Sequence, residues 1–173
     1  MIKLFQRRRN IAKLVEPLTK HLGILDALGD DGMSTDESVI DPDTHRATYT
    51  VTKPEWRHPD LHDWLMVFDQ LHHRSHMESW SLDKRGAFPH IRTRSLKVHL
   101  KSHAPTGLPI NAYDPQWIES RESLYLNHVL CPQMEQRYDF MHSSDVFAYV
   151  CTFCRMHPNT NFVPTDFYVS LLQ

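Results

Sequence analysis

ATYTVTKPEWRHPDLHDWLMVFDQLHHRSHM, residues 47–77, contains both kinds of secondary structure and decides the fold class. Its first six residues alternate, with Tyr49 and Val51 on one side and Thr48, Thr50 and Thr52 on the other. That two-residue period is a strand signal. Pro54 ends the strand, because proline has no N–H to give to a ladder. Pro59 suits the first turn of a helix, where the missing N–H has no partner to lose. Leu61, Trp64, Leu65, Phe68 and Leu71 then recur at helical spacing, which predicts a helix to about Met77 with one apolar face.

Working toward the N-terminus, Ile11, Leu14, Val15, Leu18, Leu22 and Leu25 predict helix over 10–28. Pro17 kinks that helix or starts a second one, and Gly29 is placed to end it. GDDGMSTDES, residues 29–38, reads as an exposed acidic turn, with capping-box spacing from Ser34 to Glu37. Toward the C-terminus, Leu96, Val98 and Leu100 alternate with Lys97, His99 and Lys101, predicting a second half-buried strand with a basic outer face. APTGLPINAYDPQW, residues 104–117, is a proline-rich irregular connection carrying aromatic anchors. Residues 119–130 and 144–156 look helical, the latter with Ser143 or Ser144 as cap. Residues 162–172 read as a third strand or a docked tail. Helices and strands mix without a βαβ rhythm, so the expected class is α+β, a few helices packed on a small sheet with long irregular connections. The expected organisation is a basic helical arm (1–28), an acidic loop (29–45) and a main α+β domain (46–173).

The charges are sorted along the chain. Lys3, Arg7, Arg8, Arg9, Lys13 and Lys20 face only Glu16 within residues 1–20. Residues 26–43 carry seven acids and no Lys or Arg, whereas 84–101 carry Lys84, Arg85, Arg92, Arg94, Lys97 and Lys101 and no acid. Either the acidic loop lies across a basic face as an internal match, or it screens a polyanion-binding surface.

Apolar residues make up 40% and charged residues 23% of the 173, enough for one domain with a modest core. Eleven prolines against five glycines point to stiff, irregular connections. No apolar run approaches the roughly 20 residues of a bilayer span, so no membrane association is expected. The N-terminus lacks the apolar region of a secretory signal. It is Arg-rich and acid-free, as a mitochondrial presequence is, but its apolar spacing continues past Glu16 and Pro17. Three cysteines is an odd number for a disulfide framework, so an intracellular setting, nuclear or cytoplasmic, is expected.

Three stretches, LGDDGMSTDES at 28–38, YTVTKPEWR at 49–57 and RGAFPHIRTRS with GLPINAYDPQW at 85–117, together resemble an uncharacterised, lineage-expanded protein family of mushroom-forming fungi. Members of that family are often found near transposable elements. The resemblance covers about residues 10–120 and brings no catalytic residue or cofactor with it. It implies a nuclear or cytoplasmic setting and an association with mobile DNA.

No GxSxG, HExxH, GxxxxGK[ST] or GxGxxG string occurs, so no catalytic residue is assigned and an enzyme is the least supported class. Asp60, Asp63, Asp69, Asp114, Glu119 and Asp139 are available to a transposase-like carboxylate cluster, but nothing singles out a set. The acidic turn is no calcium loop, since no register places the required oxygens and glycine together. Acids downstream of Ser34 and Thr35 make both hydroxyls candidates for acidophilic kinases. His99 and His103, on a strand, would stand roughly 13 Å apart, too far to share a metal. His62, Asp69, His73 and His76 share a helix stripe that is either a solvated face or an N,N,O metal site. His128 and Cys131, followed after nineteen residues by Cys151 and Cys154, have spacing compatible with tetrahedral zinc, with His157 as a substitute. The same CxxC spacing arises where cysteines pack a buried helix face. No cofactor other than zinc is expected. The leading expectation is an interaction module that binds nucleic acid or a protein partner through Lys84, Arg85, Arg92, Arg94, Lys97 and Lys101. The alternatives are a small zinc-stabilised domain and a remnant of a mobile-element enzyme.

Overall fold

A computed structural model describes residues 4–40, 47–78, 92–100 and 102–156. The fold is α+β. Helix α1 spans Leu4–Leu14 and ends where Val15 turns extended ahead of Pro17. Pro17 opens a 3-10 helix, Glu16–His21, which runs into α2, Leu22–Leu28. The predicted helical segment 10–28 is thus broken at Pro17, the second of the two readings offered there, because Pro17 cannot donate the bond that would continue the first piece. Gly29 takes a left-handed φ of 54° and ends α2 as expected.

The acidic segment then becomes strand β1, Thr35–Ile40, so Ser34–Glu37 is not a helix-capping box and the acidic stretch is not loop throughout. Strand β1 pairs antiparallel with β2, Ala47–Pro54. Helix α3, Pro59–Glu78, follows, with the His58 ring accepting from the Asp60 N–H at its start. Strand β3, Arg92–His99, returns parallel to β2 and gives the order β1-β2-β3. β2-α3-β3 is therefore one parallel crossover unit, which corrects the reading of a chain without any βαβ rhythm. The predicted helix 119–130 is instead two short helices, α4 (Pro115–Glu119) and α5 (Ser123–Tyr125), and a π-helical turn, Leu126–Leu130. Helix α6 spans Ser144–Met156. The Ser143 carbonyl accepts from Phe147 N–H, while its hydroxyl is buried without a partner. The 162–172 strand or tail lies outside the described residues.

Helix α3 organises the core. Leu61, Trp64, Leu65, Phe68 and Leu71 are buried as predicted, but so are His62, Met66, Val67 and Gln70. A helix covered on several sides needs apolar residues beyond a single stripe. One cover is α1 with Ile11 and Ala12, so the N-terminal segment, over its described residues, packs into the core rather than standing apart as an arm. Another is α6 with Val146 and Val150. The 104–117 connection is also anchored. Buried Tyr113 donates its hydroxyl to Pro105 O at 2.6 Å, and Asp114 caps α4 through Gln116 and Trp117 N–H. The Trp117 indole N–H and Arg121 both reach Glu55 Oε1. Among the described residues, no helix is long and apolar enough to cross a membrane.

Candidate functional site

Three of the basic residues singled out in the sequence, Arg92, Arg94 and Lys97, are positions of β3. Arg92 and Arg94 are strand positions, Lys97 is exposed, and Lys84, Arg85 and Lys101 lie outside the described residues. The register aligns Asp36 with Val51 and Val51 with Arg94, and likewise Ser38 with Tyr49 and Tyr49 with Arg92. Strand β2 therefore stands between the acidic and basic strands, which run roughly 10 Å apart. Over its described residues, the acidic segment flanks the sheet instead of lying across the basic strand.

The expected inward face of β3 is also corrected. Val98 is 48% and Leu100 70% exposed, and Lys97 is exposed beside them. The ladder is irregular just before this end: Val51 pairs with Arg94 but Lys53 pairs with Val98, so three residues of β3 answer one of β2. Both faces of the strand's C-terminal end thus meet solvent.

A second polar site, unforeseen in the sequence, lies where α1, α3 and the acidic turn converge. Arg8 is 1% exposed, and its Nε and Nη2 donate to the two Asp69 carboxylate oxygens at 2.9 and 2.7 Å. Its Nη1 lies 3.0 Å from Met33 Sδ. Arg57 is wholly buried against the Trp56 ring. It donates from Nη2 to Gly32 O at 2.5 Å and from Nη1 to Ser34 Oγ at 2.8 Å, leaving Nε without a partner. Burial, then the Arg8 charge, pull the Arg57 pKa down to about 9, against the attraction of Asp69. It remains cationic at neutral pH. Of the expected stripe of His62, Asp69, His73 and His76, the first two are not part of a solvated face, since His62 is buried and Asp69 holds Arg8.

A third cluster encloses two histidines. His21 Nδ1 lies 2.6 Å from the Tyr138 hydroxyl, and His142 Nε2 donates to Trp64 O at 2.9 Å. The two rings are 5.4 Å apart and edge-on, and Trp64 stacks on His142 with 9° between planes. His21 Nε2, His142 Nδ1 and Trp64 Nε1 are buried without hydrogen bonds. Burial pushes both histidine pKa values down to about 4. Both rings are neutral at pH 7, and the cluster is an aromatic core with polar atoms inside it.

The candidate zinc residues are spread between environments. His128 and Cys131 are exposed on and after the π-helical turn, Cys151 is buried in α6, and Cys154 is a position of the same helix. Among the described residues, no three His, Cys, Asp or Glu side chains are grouped to hold a metal ion. Cys131 has φ 46° and ψ 52°, the one non-glycine with positive φ among the described residues, and its thiol donates to Asn127 O. A side chain there costs about 1 kcal/mol. Cys131→Gly is expected to raise stability by up to about 1 kcal/mol, measured by urea unfolding. A loss of several kcal/mol, with release of bound zinc, would make Cys131 a ligand instead.

Of the scattered carboxylates, Asp69 and Asp114 have structural work, in an ion pair and a helix cap. The histidines of the aromatic core and the two buried arginines were not singled out in the sequence. The chain matches no protein-family model, no curated protein and no solved structure.

Proposed function

We propose that the chain is a non-catalytic interaction module that contacts nucleic acid through the basic strand β3. The observation that carries this reading is the solvent-facing C-terminal end of β3, where Lys97 and its neighbour Val98 are both exposed. Arg92 and Arg94 precede them on the same strand, and the acidic strand occupies the far side of β2. A lysine at the exposed end of a strand that also carries two arginine positions suits phosphate oxygens, which carry affinity without base readout. Binding by such a surface is salt-dependent and tolerant of sequence. The likeness of residues 10–120 to a fungal family found near mobile DNA supports the same partner class.

Fluorescence anisotropy with mixed-sequence single- and double-stranded oligonucleotides tests the proposal. Binding at about 50 mM salt should weaken steeply as salt rises. Lys97→Ala should reduce the slope of log K against log salt by about 1, and Arg92→Glu with Arg94→Glu should abolish binding. Binding that ignores these substitutions removes β3 as the contact. Absence of binding to either oligonucleotide at low salt leaves an acidic protein partner as the reading to pursue with the same variants.

A further inference from the structure

The turn that joins α2 to β1 lies over a buried guanidinium carrying more positive charge than its neighbours cancel. Arg8 and Arg57 are 1% and 0% exposed, and among the described residues Asp69 is the one carboxylate paired with either of them. Both Asp69 oxygens accept from Arg8, and among the described residues the hydrogen-bond partners of Arg57 are neutral, Gly32 O and Ser34 Oγ, with none on its Nε. The turn is held firmly above it. A Cβ on Gly32 would come within 2.6 Å of Leu28 Cβ and O, so only glycine brings the chain this close to α2. The backbone then carries Ser34, half-exposed, across the Arg57 fork.

We propose that Ser34 is a phosphorylation site whose phosphate is received by Arg57. The reaction moves the terminal phosphoryl group of a nucleoside triphosphate, in a kinase, to Ser34 Oγ. The new P–O bond forms as the bond to the β-phosphate breaks, and the hydroxyl proton leaves with the diphosphate. The surrounding sequence suits an acidophilic kinase, with Asp30 and Asp31 before the serine and Asp36 and Glu37 after it. Geometry separates Ser34 from its neighbour, because Thr35 already begins β1, paired with Thr52. A phosphoserine brings about −1.5 to −2 charges and three acceptor oxygens, whereas Arg57 has a neutral hydroxyl and an unmet Nε–H. Bonds from the guanidinium to a charged phosphate would replace one to a neutral hydroxyl. The phosphate then ties the acidic turn more tightly to the junction of β2 and α3.

The test begins with the folded full chain, an acidophilic kinase and nucleoside triphosphate, followed by mass mapping of the phosphate. Modification at Ser34 is expected. If a peptide of residues 28–40 is modified while the folded chain is not, the proposal is overturned. Protein carrying phosphoserine at 34 is then followed by phosphorus NMR and thermal unfolding. The second phosphate ionisation should fall about one unit below its value in the urea-unfolded chain. The melting temperature should rise by a few degrees. An unshifted ionisation, or a lower melting temperature, overturns the assignment, and neither measurement needs a variant. Arg57→Lys, which keeps the charge but loses the fork, should retain part of both shifts. Full shifts in that variant would also exclude Arg57 as the receiver.

Discussion

Asp69→Ala is expected to lower stability by about 3–5 kcal/mol, read as a fall in the urea midpoint with an unchanged slope. The reason is an imbalance of buried charge. Asp69 takes Nε and Nη2 of Arg8, which is 1% exposed, and the field of the same carboxylate supports the cation of Arg57. Removing it leaves two buried guanidinium groups without the carboxylate that acts on both. Desolvation that was offset becomes uncompensated, and the two cations repel. For a domain whose total stability is about 5–15 kcal/mol, the loss is a large share. Arg8→Met should cost less, since it removes a cation as well as a partner and leaves Asp69 beside Arg57. Combining Arg8→Met with Asp69→Ala should cost less than the two single changes added together, with a coupling of about 1–3 kcal/mol. Strict additivity in that cycle would mean that the pair contributes nothing as a pair.

The pair also shows what could be read from the sequence and what could not. Leu4, Arg8, Ile11, Ala12 and Val15 follow one another at helical spacing, so Arg8 interrupts an apolar stripe from within. A charge at such a position calls for a buried acid, and Asp69 was noticed on α3 for its neighbouring histidines instead. No one-dimensional period says that α1 and α3 pack together, which is why the stripe of His62 and Asp69 read as a surface. The strand at 47–52, the one at 96–101 as far as His99, the helix from Pro59, the break at Pro17 and the stop at Gly29 were legible because each rests on local chemistry: alternation, a fixed φ or a missing N–H. Strand β1 was not, since TDESVI has turn-forming composition and becomes a strand only by pairing with β2. The bulge in β3 escaped notice for the same reason, because register belongs to two strands and not to one. Of the candidate contact surface, the cations were visible in the sequence, and the exposure of Val98 beside Lys97 only in the fold.

The chain should lose stability as pH falls from about 6.5 toward 4, more steeply than its carboxylates alone would make it. His21 and His142 are neutral in the fold, with pKa values of about 4 set chiefly by burial, against 6.5 for the ordinary side chain. In that window the unfolded chain binds protons at both positions and the folded chain does not. Stability therefore rises with pH through the window and levels off above the unfolded value. Two protons correspond to a slope of about 2.7 kcal/mol per pH unit at most. Within the fold the main support for a charge on His142 is its bond to the Trp64 carbonyl, which burial outweighs. His21 meets Trp64, Phe68, Tyr138 and His142 ring to ring, Lys20 adds repulsion, and Asp139 helps His142 only weakly. Because the 3-10 helix, α3 and the 138–142 segment meet on these rings, a charge here separates elements distant in sequence. His142→Gln keeps a donor for the Trp64 carbonyl and removes one titration. Urea unfolding between about pH 4.5 and 7.5 should give it roughly half the wild-type slope attributable to histidine. The same slope in both proteins would mean that His142 is already charged, or already solvated, in the folded chain, and the aromatic cluster would then not be the origin of any acid sensitivity.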